Sequence, residues 1–256
     1  MERFTLYARG FVPLKNRRLS GGYEILLTIR NIDTSLQALS ELLSAHHQGD
    51  SPDAIDRWVL AQTLTLLSVH ADALCAHGLT LALTLSAHCL HDERFAEHFC
   101  AQLARARVPC ELLTVQFSER SALTDLASAA RVLRKLTSSG CSATLHGFGR
   151  DERAYQCLRD LPIAGVKLDG DLCRHVASSA TAANTVHSLM QLLRGLPVRS
   201  IAEGVDTPAA AKKLRALGVD YAQGAMFGAP QPLDRLLDSL GHGLSGHTRI
   251  AAADLS

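Results

Sequence analysis

The 256-residue sequence has almost no net charge, with 26 Lys and Arg against 25 Asp and Glu giving +1 when histidine is neutral. It has no long basic run either, since Arg17-Arg18 and Lys212-Lys213 are isolated pairs. Direct nucleic-acid binding, which needs a basic face to displace phosphate counterions, therefore has no support at this level. The seven cysteines (75, 89, 100, 110, 141, 157 and 173) are odd in number and lack CxxC spacing. Thiols used as small hydrophobes in a reduced, cytoplasmic protein are expected in preference to a redox role. Residues 1–9 lack the sustained apolar stretch of a signal peptide. The longest apolar neighbourhood, Trp58 to Val69, is broken by polar residues at helical spacing and flanked by Asp56-Arg57 and His70. It reads as a buried amphipathic helix and not as a membrane span.

What is present alternates between strand and helix. Short apolar runs that suit strands are Phe4–Tyr7, Tyr23–Ile29, Leu79–Ser86, Leu112–Phe117, Ser142–Leu145, Gly165–Leu168, Val198–Ile201 and Tyr221–Gln223. Between them, Phe95–Leu103 and Leu126–Leu136 repeat apolar residues at three- and four-residue steps, and Ala209–Leu217 is rich in Ala, Leu and Lys. Ser51-Pro52-Asp53 and Thr207-Pro208 each place an N-cap before a first-turn proline, while Gly140 and Gly218 stand where helices end. Strands separated by helices in a chain of this length indicate an α/β fold, a (β/α)₈ barrel of TIM type. A doubly wound nucleotide-binding sheet is disfavoured because no glycine-rich loop follows the first strand. The link from the first to the second run is too short for a helical crossover, so these two strands are expected to form an antiparallel hairpin. Residues 1–240 read as one barrel domain and 241–256 as a flexible tail.

In such a barrel the chemistry sits at the C-terminal ends of the strands. The polar residues falling there are Glu24, Thr84, Gln116, His146, Lys167, Asp169, Glu203, Asp206 and Gln223. Ile201-Ala-Glu-Gly-Val-Asp-Thr207 and Asp220-Tyr-Ala-Gln-Gly-Ala-Met-Phe-Gly-Ala-Pro230 look like an intact ligand-binding apparatus. Upstream, where a pair of carboxylates would complete it, the chain reads His146-Gly147-Phe148-Gly149.

Taken in order, Pro13, Tyr23-Glu24-Ile25-Leu26-Leu27, Phe148-Gly149, Leu158-Arg-Asp-Leu-Pro162, Val166-Lys-Leu-Asp169, Ile201-Ala-Glu-Gly-Val205 and Gln223-Gly224 resemble the EAL domain family. The resemblance runs from about Tyr7 to Leu237. It implies a modified TIM barrel and a kinship with metal-dependent cyclic di-GMP phosphodiesterases, some of whose relatives are silent receptors or regulators. It further implies that Glu24 is the signature metal-ligating glutamate, that Lys167 is the lysine assisting the attacking water, and that Glu203 is a third site residue. The family's metal-binding asparagine falls on Thr84, a ligating glutamate on Gln116, and its paired aspartates on His146 and Gly147. A phosphate-clamping arginine falls on Thr28.

Two adjacent divalent cations need several fixed carboxylates to offset their repulsion. With Thr84, Gln116, His146 and Gly147 as lost metal positions, no metal cofactor is expected, and Mg²⁺ or Mn²⁺ enters only if residual activity exists. Glu24, His146 and Glu203 would offer one imidazole and two carboxylates, an acceptable set for a single Zn²⁺ or Mn²⁺. Hydrogen-bonded space-filling is the plainer role for His146. Ligand-binding candidates are Glu24, Lys167, Asp169, Glu203, Asp206 and Gln223. The expected function is a catalytically inactive regulator in cyclic di-GMP-linked signalling with a protein partner. A cyclic di-GMP receptor and a residual phosphodiesterase yielding pGpG are the alternatives. The leucine stripe Leu36, Leu39, Leu42 and Leu43 reads as core packing, and Arg150–Tyr155 as a solvated helix start.

Overall fold

The computed structural model describes residues 4–15, 20–29 and 53–241. The stretches Asp33–Gly49 and 242–256, with Ser51, Pro52, Arg17, Arg18 and Arg30, lie outside the described residues.

Eight strands close a barrel. They are β1 (Phe4–Pro13), β2 (Gly22–Ile29), β3 (Thr80–Thr84), β4 (Leu113–Ser118), β5 (Ser142–Phe148), β6 (Gly165–Leu168), β7 (Arg199–Ala202) and β8 (Tyr221–Ala222). Neighbours from β2 to β8 run parallel. β1 shuts the ring by pairing antiparallel with both β2 and β8. A two-residue strand, β9 (Gln231–Pro232), adds to β1 outside the ring. The expected hairpin is thus present, but β1 reaches Pro13 and not Tyr7. Its second half holds strand geometry because Val12 and Pro13 bond to β8, a pairing between residues about two hundred positions apart in sequence that local periodicity cannot reveal.

The helices are α1 (Ala54–His77), α2 (Ala87–Leu90), α3 (Glu93–Ala106), α4 (Glu119–Thr124), α5 (Leu126–Ser138), α6 (Ala154–Asp160), α7 (Gly170–His175), α8 (Ala180–Leu193), α9 (Pro208–Leu217) and α10 (Leu233–Gly241). Their starts follow capping chemistry. Thr207 accepts the Ala210 N–H ahead of Pro208, as its sequence foretells, and Asp92, Asp125 and Ser179 do the same for α3, α5 and α8. Gly218 ends α9 in the left-handed conformation. The expectation for α1 needs correcting, because Asp53 and not Ser51 holds its N-cap position. Gly241 is the last residue of α10.

By length and composition α1 is long and apolar enough to cross a bilayer. Here it lies on the barrel, burying Val59, Leu60, Leu64, Leu67 and Leu74. One continuous apolar core joins the barrel to its helices, with Phe95, Phe99, Phe117 and Phe148 fully enclosed. This packing fixes the strand ends on which the site stands.

Candidate functional site

The C-terminal ends of the strands open into a cleft of about 620 Å³. Of the nine polar residues expected there, Glu24, Thr84, His146, Lys167, Asp169, Glu203 and Asp206 line it, joined by Gly147. Gln116 and Gln223, each 1% exposed, lie beneath it. Gln116 accepts a hydrogen bond from Thr84 Oγ1 at 3.3 Å. Gln223 donates from Nε2 to the Arg9 carbonyl at 3.3 Å, leaving its own buried Oε1 without a partner.

The centre of the cleft is an ion cluster around Lys167. This lysine projects from β6 and is 2% exposed, so its ammonium must find anions inside the protein. Nζ lies 2.8 Å from Glu24 Oε1 on β2 and 3.5 Å from Glu203 Oε1 just past β7. Burial opposes the ionisation of Glu24, but the charge and hydrogen bond of Lys167, helped by the charge of Arg9, hold its carboxyl below the usual glutamate range. Burial likewise opposes the ammonium, and Glu203 and Glu24 together hold it above the ordinary lysine value. Glu24 and Lys167 are therefore an ionised pair at neutral pH.

His146 stands at the end of β5, across from this cluster. Burial first, and the positive charge of Lys167 second, push its imidazole down to about 4 against the pull of Glu24. It is a neutral ring in physiological conditions, and it makes no hydrogen bond among the described residues, contrary to the hydrogen-bonded role expected of it. Gly147 follows with φ +68°, and a Cβ built there would meet nothing within 4 Å. Space left at this position is open to the cleft and has not been filled by neighbouring side chains.

The turn after β5 is held from two sides. Glu119, 2% exposed at the start of α4, accepts the Gly149 N–H at 3.2 Å and also the N–H groups of Asp151 and Arg150. Burial nevertheless raises its pKa. On the other side the Arg150 guanidinium bonds the Asp169 carboxylate and reaches Asp171 at 3.3 Å. Arg150 is therefore tied into the rim of the cleft. The helix it was expected to begin starts only at Ala154. Asp169 also caps α7, accepting the N–H groups of Asp171 and Leu172. On the opposite rim Asp206 accepts the Ala225 N–H at 2.8 Å, and Gly224 lets the chain pass Val205, whose carbonyl oxygen would lie 2.2 Å from an added Cβ.

Reading the strand ends missed Arg9, Arg150 and Arg174, all of which line the cleft. For Arg9 a signal was available, since extending the hairpin register beyond Tyr7 places Arg9 directly opposite Glu24. Thr28, at the position where the resemblance implies a phosphate clamp, turns its hydroxyl to the Thr5 carbonyl.

The donor set does not suit a pair of hard divalent ions. Thr84 and Gln116 are bonded to one another, position 147 has no side chain, and Glu24 is engaged by Lys167. Among the described residues no three His, Cys, Asp or Glu side chains are grouped so as to hold an ion.

Comparison with known proteins places this geometry. The chain is 27% identical to the cyclic di-GMP phosphodiesterase PdeF of Escherichia coli over 228 residues, 89% of this chain and 30% of that protein. It is 28% identical over 240 residues to the cyclic di-GMP phosphodiesterase PA2567 of Pseudomonas aeruginosa, covering 93% of this chain and 40% of that protein. The chain thus spans less than half the length of these curated relatives. Among solved structures, the FimX EAL domain from Pseudomonas aeruginosa bound to c-di-GMP superposes with a TM-score of 0.78 at 25% identity, covering 90% of this chain and 91% of that one. The EAL domain family matches residues 2–230, so this chain belongs to the EAL domain family.

Proposed function

We propose that this chain is a non-hydrolysing EAL regulator in cyclic di-GMP-linked bacterial signalling, acting by contact with another protein. The observation that carries this reading is the Lys167 ammonium seated between Glu24 and Glu203. Internal neutralisation takes up carboxylates that a metal pair would need, and the neutral Thr84–Gln116 pair and bare Gly147 supply no replacement. We derive no hydrolytic step through a metal from these residues. A retained scaffold without its hydrolytic ligands leaves recognition as the remaining use of the fold.

The test has two arms on the full chain. Incubation with cyclic di-GMP in Mg²⁺, Mn²⁺ or Zn²⁺ is expected to yield no pGpG, and crosslinking in the native host is expected to recover one reproducible partner. Hydrolysis that disappears in Glu24→Ala would overturn the reading and point to Glu24, His146 and Glu203 around a single ion.

A second reading has its own support. The cleft keeps about 620 Å³ of space and has Arg9 on its wall, which suits a receptor that binds cyclic di-GMP without cleaving it. The two readings are compatible, because a ligand that binds one conformation better can bias a partner surface.

A further inference from the structure

The rim of the cleft is crowded with charge, and most of it is already spent within the protein. Glu24 and Glu203 are engaged by Lys167. Asp169 and Asp171 are engaged by Arg150, and Asp171 also by Arg174. Asp206 accepts a backbone N–H. Arg9 differs from its neighbours. Its guanidinium lines the cleft, yet it makes no hydrogen bond or ion pair within contact distance among the described residues. Its charge is felt by Glu24 only at longer range.

The backbone explains why it stays there. Arg9 lies opposite Glu24 in the antiparallel β1–β2 register, so both side chains leave the same face of the sheet. The Arg9 carbonyl is pinned to β8 through Gln223 Nε2. The backbone at Arg9 is thus fixed, while the five N–H donors of its head make no hydrogen bond among the described residues. Arg9 is part-exposed at the cleft, so a bound anion would meet a guanidinium that no protein carboxylate has already paired. A guanidinium fork matches two oxygens of one phosphoryl group and holds its charge at every physiological pH. Across from it, Gly147 leaves open volume and His146 adds a polar edge without charge.

We infer that Arg9 is the phosphoryl-contacting cation of this cleft, and that it holds an anionic ligand there without a divalent metal. The inference rests on the receptor reading above and adds to it the residue and the absence of metal dependence. The shared chemistry is a phosphoryl oxyanion, either the diester of a cyclic dinucleotide or free phosphate.

Calorimetry on the full chain in EDTA, with cyclic di-GMP and with inorganic phosphate as separate probes, tests it against Arg9→Ala and Arg9→Lys. The expected result is binding of cyclic di-GMP in EDTA, weakened about 10- to 100-fold in Arg9→Ala and partly restored in Arg9→Lys. Thermal unfolding of each variant checks the fold, and Arg9→Lys carries the test should Arg9→Ala fail to fold. Equal affinity in wild type and variants removes the role of Arg9 and leaves the receptor reading standing. Binding seen only with Mg²⁺ removes the metal-free assignment. Arg9-dependent binding of inorganic phosphate alone keeps the anion site and ends the dinucleotide reading. Binding of neither probe overturns both, leaving the protein-contact reading intact.

Discussion

On one side of the barrel mouth, β2, β6 and the turn after β7 present an ion cluster, the buried Glu24–Lys167 pair and the part-exposed Glu203. On the other, β3, β4 and β5 present Thr84, Gln116, His146 and Gly147, and at neutral pH none of these carries a charge. The strands beneath the two sides belong to one parallel ring, with Thr84 opposite Gln116, Ser118 opposite His146 and Lys167 opposite Ile201. On the neutral side the β5–β6 register shifts between Leu145 and Phe148, where Gly147 takes a positive φ. The contrast shows that the fold does not depend on what the strand ends carry. Its stability resides in the apolar layers below, so the rim can carry charged groups on one side and neutral ones on the other while the ring stays closed, with the register shift confined to the end of β5.

The largest expected effect comes from breaking the charged side. Lys167→Met leaves the buried Glu24 carboxylate without a counterion beside the part-exposed Glu203 and should cost about 3–5 kcal/mol in urea unfolding. Adding Glu24→Gln to it should recover a good part of the loss. The pH dependence has a definite sign. Because Glu24 is held below its ordinary pKa, its contribution is present above the usual glutamate range and is lost as pH falls through the depressed value. Because Lys167 is held above its ordinary pKa, its contribution is present below the usual lysine value and is lost as pH rises through the raised one. Lys167→Met should flatten both limbs. An unchanged profile would mean that the cluster does not hold the two sides together.

A smaller effect is expected where the two sides meet. Glu119 is the buried acceptor for the turn at Gly149. Replacing it by Leu should leave those N–H groups unpaired, at a cost of about 1–3 kcal/mol. Amide exchange should accelerate at Gly149–Asp151 while the barrel strands stay protected. Uniform acceleration across the barrel would place Glu119 in the global core instead.

His146 probes the neutral side alone. With burial bringing its pKa down to about 4 from the ordinary imidazole range, the folded state resists protonation more than the unfolded state does. Stability should therefore fall as pH drops through that window, by about 1–2 kcal/mol after allowing for partial exposure. His146→Asn should remove this slope, and the ring's own NMR titration should lie well below pH 6. An ordinary titration would put the ring in open solvent.

Much of this contrast was legible before the structure, for physical reasons that differ by residue. The strand runs, the hairpin and the Thr207 cap are set by local periodicity and backbone chemistry. Positions 84, 116, 146 and 147 were legible because strand ends in a barrel converge whatever their residues. The partners of those residues were not legible. The Lys167–Glu24 pair spans 143 positions, and the Arg150–Asp169 tie runs between loops whose approach depends on closure of the ring. Arg9 is legible only when the hairpin register is extended past Tyr7, because the second half of β1 is a strand through its partners. Gln116 and Gln223 stand at strand ends but are buried and do not line the cleft, since a neutral amide accepts burial more readily than the carboxylate such a position could carry.

The smallest effect sharpens the comparison most, because it applies the Lys167 experiment to the neutral side. Thr84→Val removes the hydroxyl that bonds Gln116 Oε1 and leaves a buried amide oxygen unsatisfied, at a cost of about 1 kcal/mol. Gln116→Leu alone should cost a similar amount, because it leaves the Thr84 hydroxyl unpaired. Together the two changes replace both partners by apolar groups of similar size, and the double variant should come within about 0.5 kcal/mol of wild type. The coupling free energy from this cycle should then be several-fold smaller than that from the Lys167–Glu24 cycle. Equal couplings in the two cycles would mean that the neutral pair is as strongly held as the ion pair, and that the two sides of the mouth differ in formal charge but not in the energy that organises them.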